Sequence, residues 1–593
     1  MINKQTIIKI LKKIKIYGLY LKAVNFINFQ RYCFVNRISH IKRKEQKNYI
    51  HTYSPLISIV IPLYNTKPLF FHQMMKSIMH QTYSNWEICF CDGSTISQTR
   101  KLIEGYQVKL GDKLKVKYIG ENLGIAGNTN EAIKLASGDF IGFMDHDDML
   151  SEDALFEIVK SINQLPDSEI FYSDEDKVDY WGKFRFNAFF KPAYSPDTLR
   201  SYNYICHFFV VSMRVLNTVG YCRSEFNGSQ DYDLILRVTE QASNIVHIPK
   251  ILYHWRQHFG STAFNADSKP YVFDAAKRAI ADHLCRIGIN GDVEITNIKT
   301  YHVTYLMKEH PQISIVIVND ESFDVLINCI KSILINSTYT NYEIMIIDNN
   351  KLDISSFEHH KFMDIKIINY NFINLPDAYN FASTQSDSPY LIFLSGCTTV
   401  ISTDWIERML EHFQKDSVGV VGPKLLSAGK YVQLSDEAIE LENMNGYPFT
   451  DKQENENGYF CVYKIIRNVT ALAHTCLMVN HEVFDKSGKF NTLYSSACFS
   501  IEFSLKIIEQ NLHSIYTPFS LLYNLCADFK DDEKLAYENE KMMFNDAYRN
   551  KLVDREYHYN PNLSLDSVRS LYKVNVKNHD FRPRVSIKNK HVD

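Results

Sequence analysis

Apolar residues in the first half of this chain come in short β-branched runs, separated by stretches where they recur every three or four positions. Ile57-Ser58-Ile59-Val60-Ile61 is one such run, stopped by Pro62. Branched side chains fit a pleated, buried surface, so the run predicts a strand. Phe70, Met74, Met75, Ile78 and Met79 then follow the helical period. A second strand is expected over residues 86–91, ending at Asp92-Gly93-Ser94-Thr95, and a third over 116–119. Residues 122–136 look helical, and 140–144 form one more short apolar run. Strand and helix alternation predicts an α/β unit with a mostly parallel, helix-covered sheet.

The pattern then returns. Gln312-Ile313-Ser314-Ile315-Val316-Ile317 repeats Leu56-Ile57-Ser58-Ile59-Val60-Ile61, Thr338 to Ile344 repeats Thr82 to Ile88, and Asp348 takes the place of Asp92. All three pairs are 256 positions apart. Internal repetition at a fixed offset predicts two homologous domains. The expected bounds are 51–295 for the first domain and 311–540 for the second, with 541–593 as a tail.

Residues 1–50 differ in texture, with twelve Lys or Arg against one acid, Glu45. Ile7, Ile8, Leu11, Ile14, Leu19 and Leu21 interleave with lysines, as in a basic amphipathic helix. Such a helix suits an anionic membrane surface, or equally the flank of the neighbouring domain. The chain's net charge of −3 argues against a general nucleic-acid binder. Twelve cysteines, none in CxxC, read as reduced core residues of a cytoplasmic protein. No apolar stretch approaches the ~18 residues of a membrane span.

The 140–144 run ends in Asp145-His146-Asp147-Asp148, three carboxylates in four residues. Like charges this close disfavour one another, and Mg²⁺ or Mn²⁺ would relieve them. Strand ends of α/β sheets are where ligands sit, which favours a metal site. The alternative is Asp148 as the cap of a helix starting near Ser151.

In order along the chain stand SIVIPLYN (58–65), CDGST (91–95), ENLGIAGNTNEAI (121–133), SGDFIGFMDHDD (137–148), YSDEDK (172–177), NGSQDYDLILR (227–237) and LYHWR (252–256). Together they make residues 55–264 resemble inverting family 2 glycosyltransferases of the GT-A fold. The likeness is closest to the bacterial rhamnosyltransferase-like members that build O-antigen and capsule chains. The resemblance implies two tandem Rossmann-like GT-A domains behind a basic N-terminal segment. It implies nucleotide contacts from Pro62, Tyr64, Asn65 and Asn122, with Asp92 accepting from N3–H of uracil or thymine. Cys91 stands where the family often has another Asp.

Asp145 and Asp147 match the metal pair for Mn²⁺ or Mg²⁺, with His254 joining the metal or the phosphates. Asp231 matches the catalytic base, which takes the acceptor hydroxyl's proton. Asp233, two residues on, is the alternative base. Weaker donor or acceptor contacts are expected from Asp148, Trp255, Arg256 and the Asp174-Glu175-Asp176 cluster. Arg256 could pair with a phosphate bidentately, and the acidic cluster reads equally as a solvated loop.

In the second domain, Ser395 and Cys397 replace the metal pair, Ser500 replaces Asp231, Glu502 stands for Asp233, and Asn524 takes the histidine's place. That predicts a degenerate copy, for packing support or glycan binding. The implied reaction transfers a sugar from a UDP- or dTDP-linked donor (dTDP-rhamnose or a UDP-hexose) to a lipid-linked or polysaccharide glycan. It would run in the cytoplasm or at the inner face of the membrane. The rivals are a sugar-nucleotide pyrophosphorylase, which would need a Gly-rich basic loop after the first strand, and a glycan-binding scaffold.

Overall fold

The computed structural model describes residues 17–258, 270–319, 322–350, 352, 365–427, 431–433, 436–437, 452–453, 457–525, 539–548, 558–563 and 582–586. The chain forms two compact units. The first comprises Met1–Tyr194, Asn203–His283 and Asn560–Ser586, and the second Ser195–Tyr202, Leu284–Tyr559 and Ile587–Asp593.

In the first unit, β1 (Ile57–Leu63), β2 (Trp86–Asp92), β3 (Leu114–Tyr118) and β4 (Phe140–Phe143) are parallel, in the order β3-β2-β1-β4. The two-residue strand β5 (Met149–Leu150) follows the acidic loop. The sheet continues through β8 (Phe209–Ser212), β6 (Ile170–Val178) and β9 (Ile245–Arg256), with β7 (Arg185–Phe189) paired to β6. β8 runs antiparallel to both β4 and β6, while β6 and β9 are parallel. Ile57, Ile59 and Ile61 are fully buried in the core, each worth about 1.5–3 kcal/mol relative to exposure. Met74, Met75 and Ile78 of the helix Pro68–Met79 pack into the same cluster, so the helical period read from the sequence is its buried face.

The second unit repeats this order: 365–369, 342–348, 313–318, 390–395, 476–480 and 418–427, with 513–524 beside the last. Ile313 pairs with Tyr342 as Ile57 pairs with Trp86. Side-chain bonds recur at the same offset. Tyr83 Oη donates to Pro55 O (2.6 Å) and Tyr339 Oη to Pro311 O (2.5 Å), and buried Ser58 and Ser314 donate to Glu87 and Glu343. The two units therefore share one fold.

Ile7, Ile8, Leu11 and Ile14 lie outside the described residues. The described part of the basic segment packs within the first unit. The helix Tyr17–Val35 buries Phe29 and Tyr32, and Tyr32 Oη donates to Asn562 Oδ1 at 3.0 Å. The expected tail contributes to the same unit, through buried Asn560 and Asn562 and through a strand, Arg584–Val585, on β9. Among the described residues ten cysteines are free, but Cys397 is disulfide-bonded, which departs from an all-reduced set and has no CxxC-type signal in the sequence. Among the described residues no helix is long and apolar enough to cross a membrane.

Candidate active site

The parallel strands end at one edge, where a cavity of ≈ 280 Å³ is lined by Pro62, Leu63, Tyr64, Asn122, Ile125, Asn128, Asp145, His146, Asp147 and Trp255. Six sequence candidates are thus brought together from the ends of β1, β4 and β9 and the start of the helix Gly124–Ile133. Beside them, Asn65 has a left-handed backbone (φ 48°), which Asn tolerates better than most residues. Its Oδ1 accepts from Thr95 N (3.0 Å) and Ile96 N (3.3 Å), tying the end of β1 to the loop after β2. Asp92 is 5% exposed and accepts from Ser94 N at 3.1 Å, a turn-type bond.

The three carboxylates after β4 have three different surroundings. Asp145 keeps 39% of its side chain exposed, yet desolvation raises its pKa, with the charges of Asp147 and Asp231 adding and His207 opposing. Burial also disfavours charge on Asp147, but a 2.8 Å bond to His258 Nε2 and the nearby His146 outweigh it and lower its pKa. Asp148 is fully buried and accepts from Tyr253 Oη (2.6 Å) and Arg256 N (2.7 Å). Burial, then the charges of its two neighbours, push its carboxyl well above the ordinary range. It therefore holds β9 to the acidic loop and does not cap a helix; the N-cap position of the next helix, Ala154–Gln164, is Asp153.

Among the described residues no three metal-binding side chains converge. Mg²⁺ needs only one or two carboxylates when phosphates supply other ligands. Asp145 and Asp147 could provide that set, and the desolvated Asp145 carboxyl is one whose charge a cation would favour.

Strand alternation decides the 252–258 stretch. Trp255 faces the cavity, so His254 and Arg256 face away from it. His254 Nδ1 bonds Asp176 Oδ1 at 2.6 Å, and burial lowers its pKa against that carboxylate's pull. Arg256 is fully buried, donates to Asp147 O (2.6 Å) and Tyr180 O (3.0 Å), and lies over the Phe70 ring. The Arg256 guanidinium, expected to meet a phosphate, is instead turned from the cavity onto backbone carbonyls, and the place beside Asp147 belongs to His258. The only sequence signal for His258 was its position just past the end of β9.

The acidic cluster is a buried strand segment, not the solvated loop. Asp174, Glu175 and Asp176 are buried in β6. Asp174 bonds His247 Nε2 (2.8 Å) and Asn560 Nδ2 (3.0 Å), Glu175 bonds Lys191 Nζ (2.9 Å), and Asp176 bonds Arg185 Nε (2.5 Å). Each carboxylate is matched by a partner on another element, which no local pattern shows.

Asp231 and Asp233 lie in the first turn of the helix Gln230–Gln241, where the dipole favours a carboxylate. Two residues apart on a helix, they point to different sides. Asp231 is half-buried and accepts from Asn203 Nδ2 at 3.2 Å. Asp233 is fully buried between Arg237 (Nη2 2.9 Å) and Arg223, which excludes it as a base. Asp233→Ala should lower unfolding free energy by about 3–5 kcal/mol, because it strands buried arginine charge. Denaturant titration checks this, and an unchanged midpoint with lost activity would refute it.

The second unit keeps that structural pair. Glu502 is 4% exposed, pairs with Lys506 at 3.1 Å four residues on, and accepts from Tyr548 Oη at 2.6 Å. Ser500, at the place of Asp231, is fully buried and donates to Ala497 O at 2.9 Å.

Residues 58–220 and 312–487 both match the model of Glycosyl transferase family 2. An uncharacterised protein of Sinorhizobium fredii is 32% identical over 558 residues, covering 91% of this chain and 60% of that protein. The O-antigen biosynthesis protein RfbC of Myxococcus xanthus is 29% identical over 518 residues, covering 86% of this chain and 40% of RfbC. This chain thus spans less than two thirds of either relative. Among solved structures, S. aureus TarS residues 1–349 in complex with UDP-GlcNAc aligns with a TM-score of 0.33 and 21% identity, over 38% of this chain and 66% of that one.

Proposed function

The chain belongs to glycosyl transferase family 2, and from that premise we propose that its first unit is a metal-dependent, inverting transferase. It moves a sugar from a UDP- or dTDP-linked donor (a UDP-hexose or dTDP-rhamnose) to a growing bacterial surface glycan, lipid-linked or polymeric. The observation that carries this reading is the strand-end cavity in which Asp145 and Asp147 stand beside Pro62, Tyr64 and Asn122, with the helix-terminal carboxylate Asp231 near enough for its charge to raise the proton affinity of Asp145.

Asp92 accepts the N3–H of the uracil or thymine, while Pro62, Tyr64 and Asn122 line the nucleotide's path. Asp145 and Asp147, with His258 beside Asp147, would hold Mn²⁺ or Mg²⁺, whose charge would neutralise the departing diphosphate. Asp231 takes the acceptor hydroxyl's proton as the oxygen attacks the anomeric carbon from the face opposite the leaving group, which inverts it. The second unit, lacking equivalents of Asp145, Asp147 and Asp231, is proposed to be catalytically silent. A panel of UDP- and dTDP-sugars with Mn²⁺ or Mg²⁺ tests the reading. Metal-dependent release of UDP or dTDP is expected, and no release from any donor in the presence of a glycan acceptor would reject it.

The helix Tyr17–Val35 supports a peripheral membrane contact. Phe29 and Tyr32 are buried, while Phe26 (45%), Ile27 (64%) and Phe34 (81%) are exposed among basic neighbours. Flotation with anionic vesicles is expected at low salt and should weaken in high salt, because surface attraction is screened. Equal binding to neutral vesicles at every salt concentration, or none to anionic ones, would end this idea.

A further inference from the structure

Lys191 is fully buried, and its ammonium makes three bonds: to Glu175 Oε2 (2.9 Å), Ile205 O (3.2 Å) and His207 O (2.5 Å). Glu175 Oε2 also accepts from His207 N at 2.8 Å. Residues 202–208 are neither helix nor strand, so this ion pair supplies the backbone partners that a regular element would otherwise provide. Buried ion pairs add little net stability over apolar residues of the same size. Their use here is explained by what the held segment carries. At one end Asn203 Nδ2 donates to Asp231 Oδ2 at 3.2 Å. At the other, the His207 ring stacks on Tyr253 at 4.8 Å, with Nε2 3.8 Å from Asp145 Oδ2.

We propose that the Lys191–Glu175 pair is the positioning device of the transfer site, clamping residues 203–207 so that Asn203 aims the Asp231 carboxylate while His207 flanks Asp145. This rests on Asp231 as the base. Lys191 and Glu175 are positioning residues: neither need touch donor or acceptor. A small displacement of the segment would misalign both groups at once, and misplacements of about 1 Å can cost on the order of 100-fold in rate.

The test uses the full chain and two variants, the near-isosteric double replacement Glu175→Gln with Lys191→Met, and Asn203→Ala. The double replacement removes both charges together, so it strands neither. Each variant is expected to lose about 10- to 100-fold in kcat, with Mn²⁺-UDP or Mn²⁺-dTDP affinity by calorimetry, and the unfolding midpoint, close to wild type. Wild-type kcat in either folded variant would overturn the proposal. So would a loss of nucleotide affinity equal to the loss in kcat/KM, since that marks a general distortion. If the double variant fails to fold, Asn203→Ala decides alone. Full turnover by Asp231→Asn would instead sink the base assignment, an outcome separable from these.

Discussion

Asp231→Asn is expected to leave the fold and nucleotide affinity intact and to reduce turnover by about 10²- to 10⁴-fold, the usual worth of a positioned general base. The replacement keeps the shape and removes the carboxylate. Asn203 would face an amide, a change of one hydrogen bond at a half-buried site, so structural damage should be small. The measurement is kcat beside nucleotide affinity by calorimetry. If Asp231→Asn turns over normally, the base lies elsewhere, and Asp233 is not the substitute, because Arg223 and Arg237 enclose it.

Asp147→Ala should abolish transfer, and Asp145→Ala nearly so, with EDTA reproducing both effects in the wild type. Asp147 is the more consequential of the two. The His258 bond favours the charged form of its carboxylate, while desolvation works against charge on Asp145. Removing Asp147 also leaves His258 without that partner. Full activity in EDTA, with wild-type rates in both variants, would discard the metal. Metal-dependent transfer that survives Asp147→Ala combined with Asp231→Asn would have to come from the second unit, contrary to its proposed silence.

Much of the architecture was legible in the chain because its signals are local. The β-branched run at 57–61, the helical period through Phe70 to Ile78, and the 256-residue repeat each follow from side-chain identity and spacing. In the fold they become two sheets of the same strand order with the same register between their first two strands. The cavity carboxylates were legible for the same reason, since a short apolar strand followed by acids marks a strand end. The antiparallel β8 between β4 and β6 was not, because its pairing is made across long sequence separations.

The candidate residues divide along the same line. Where the strands end, and which acids follow them, can be read from composition and period alone. Only the tertiary structure decided which way each charge faces. Asp231 and Asp233 are two residues apart, yet one meets Asn203 and the other two arginines. Asp147 and Asp148 are adjacent, yet one lines the cavity and the other is sealed under Tyr253 and Arg256. His258 stands at the cavity's acids while His254 serves Asp176. A buried carboxylate needs a donor or cation to match it, and here Tyr253 serves Asp148 and Asn560 serves Asp174, both brought in by the fold from distant parts of the chain.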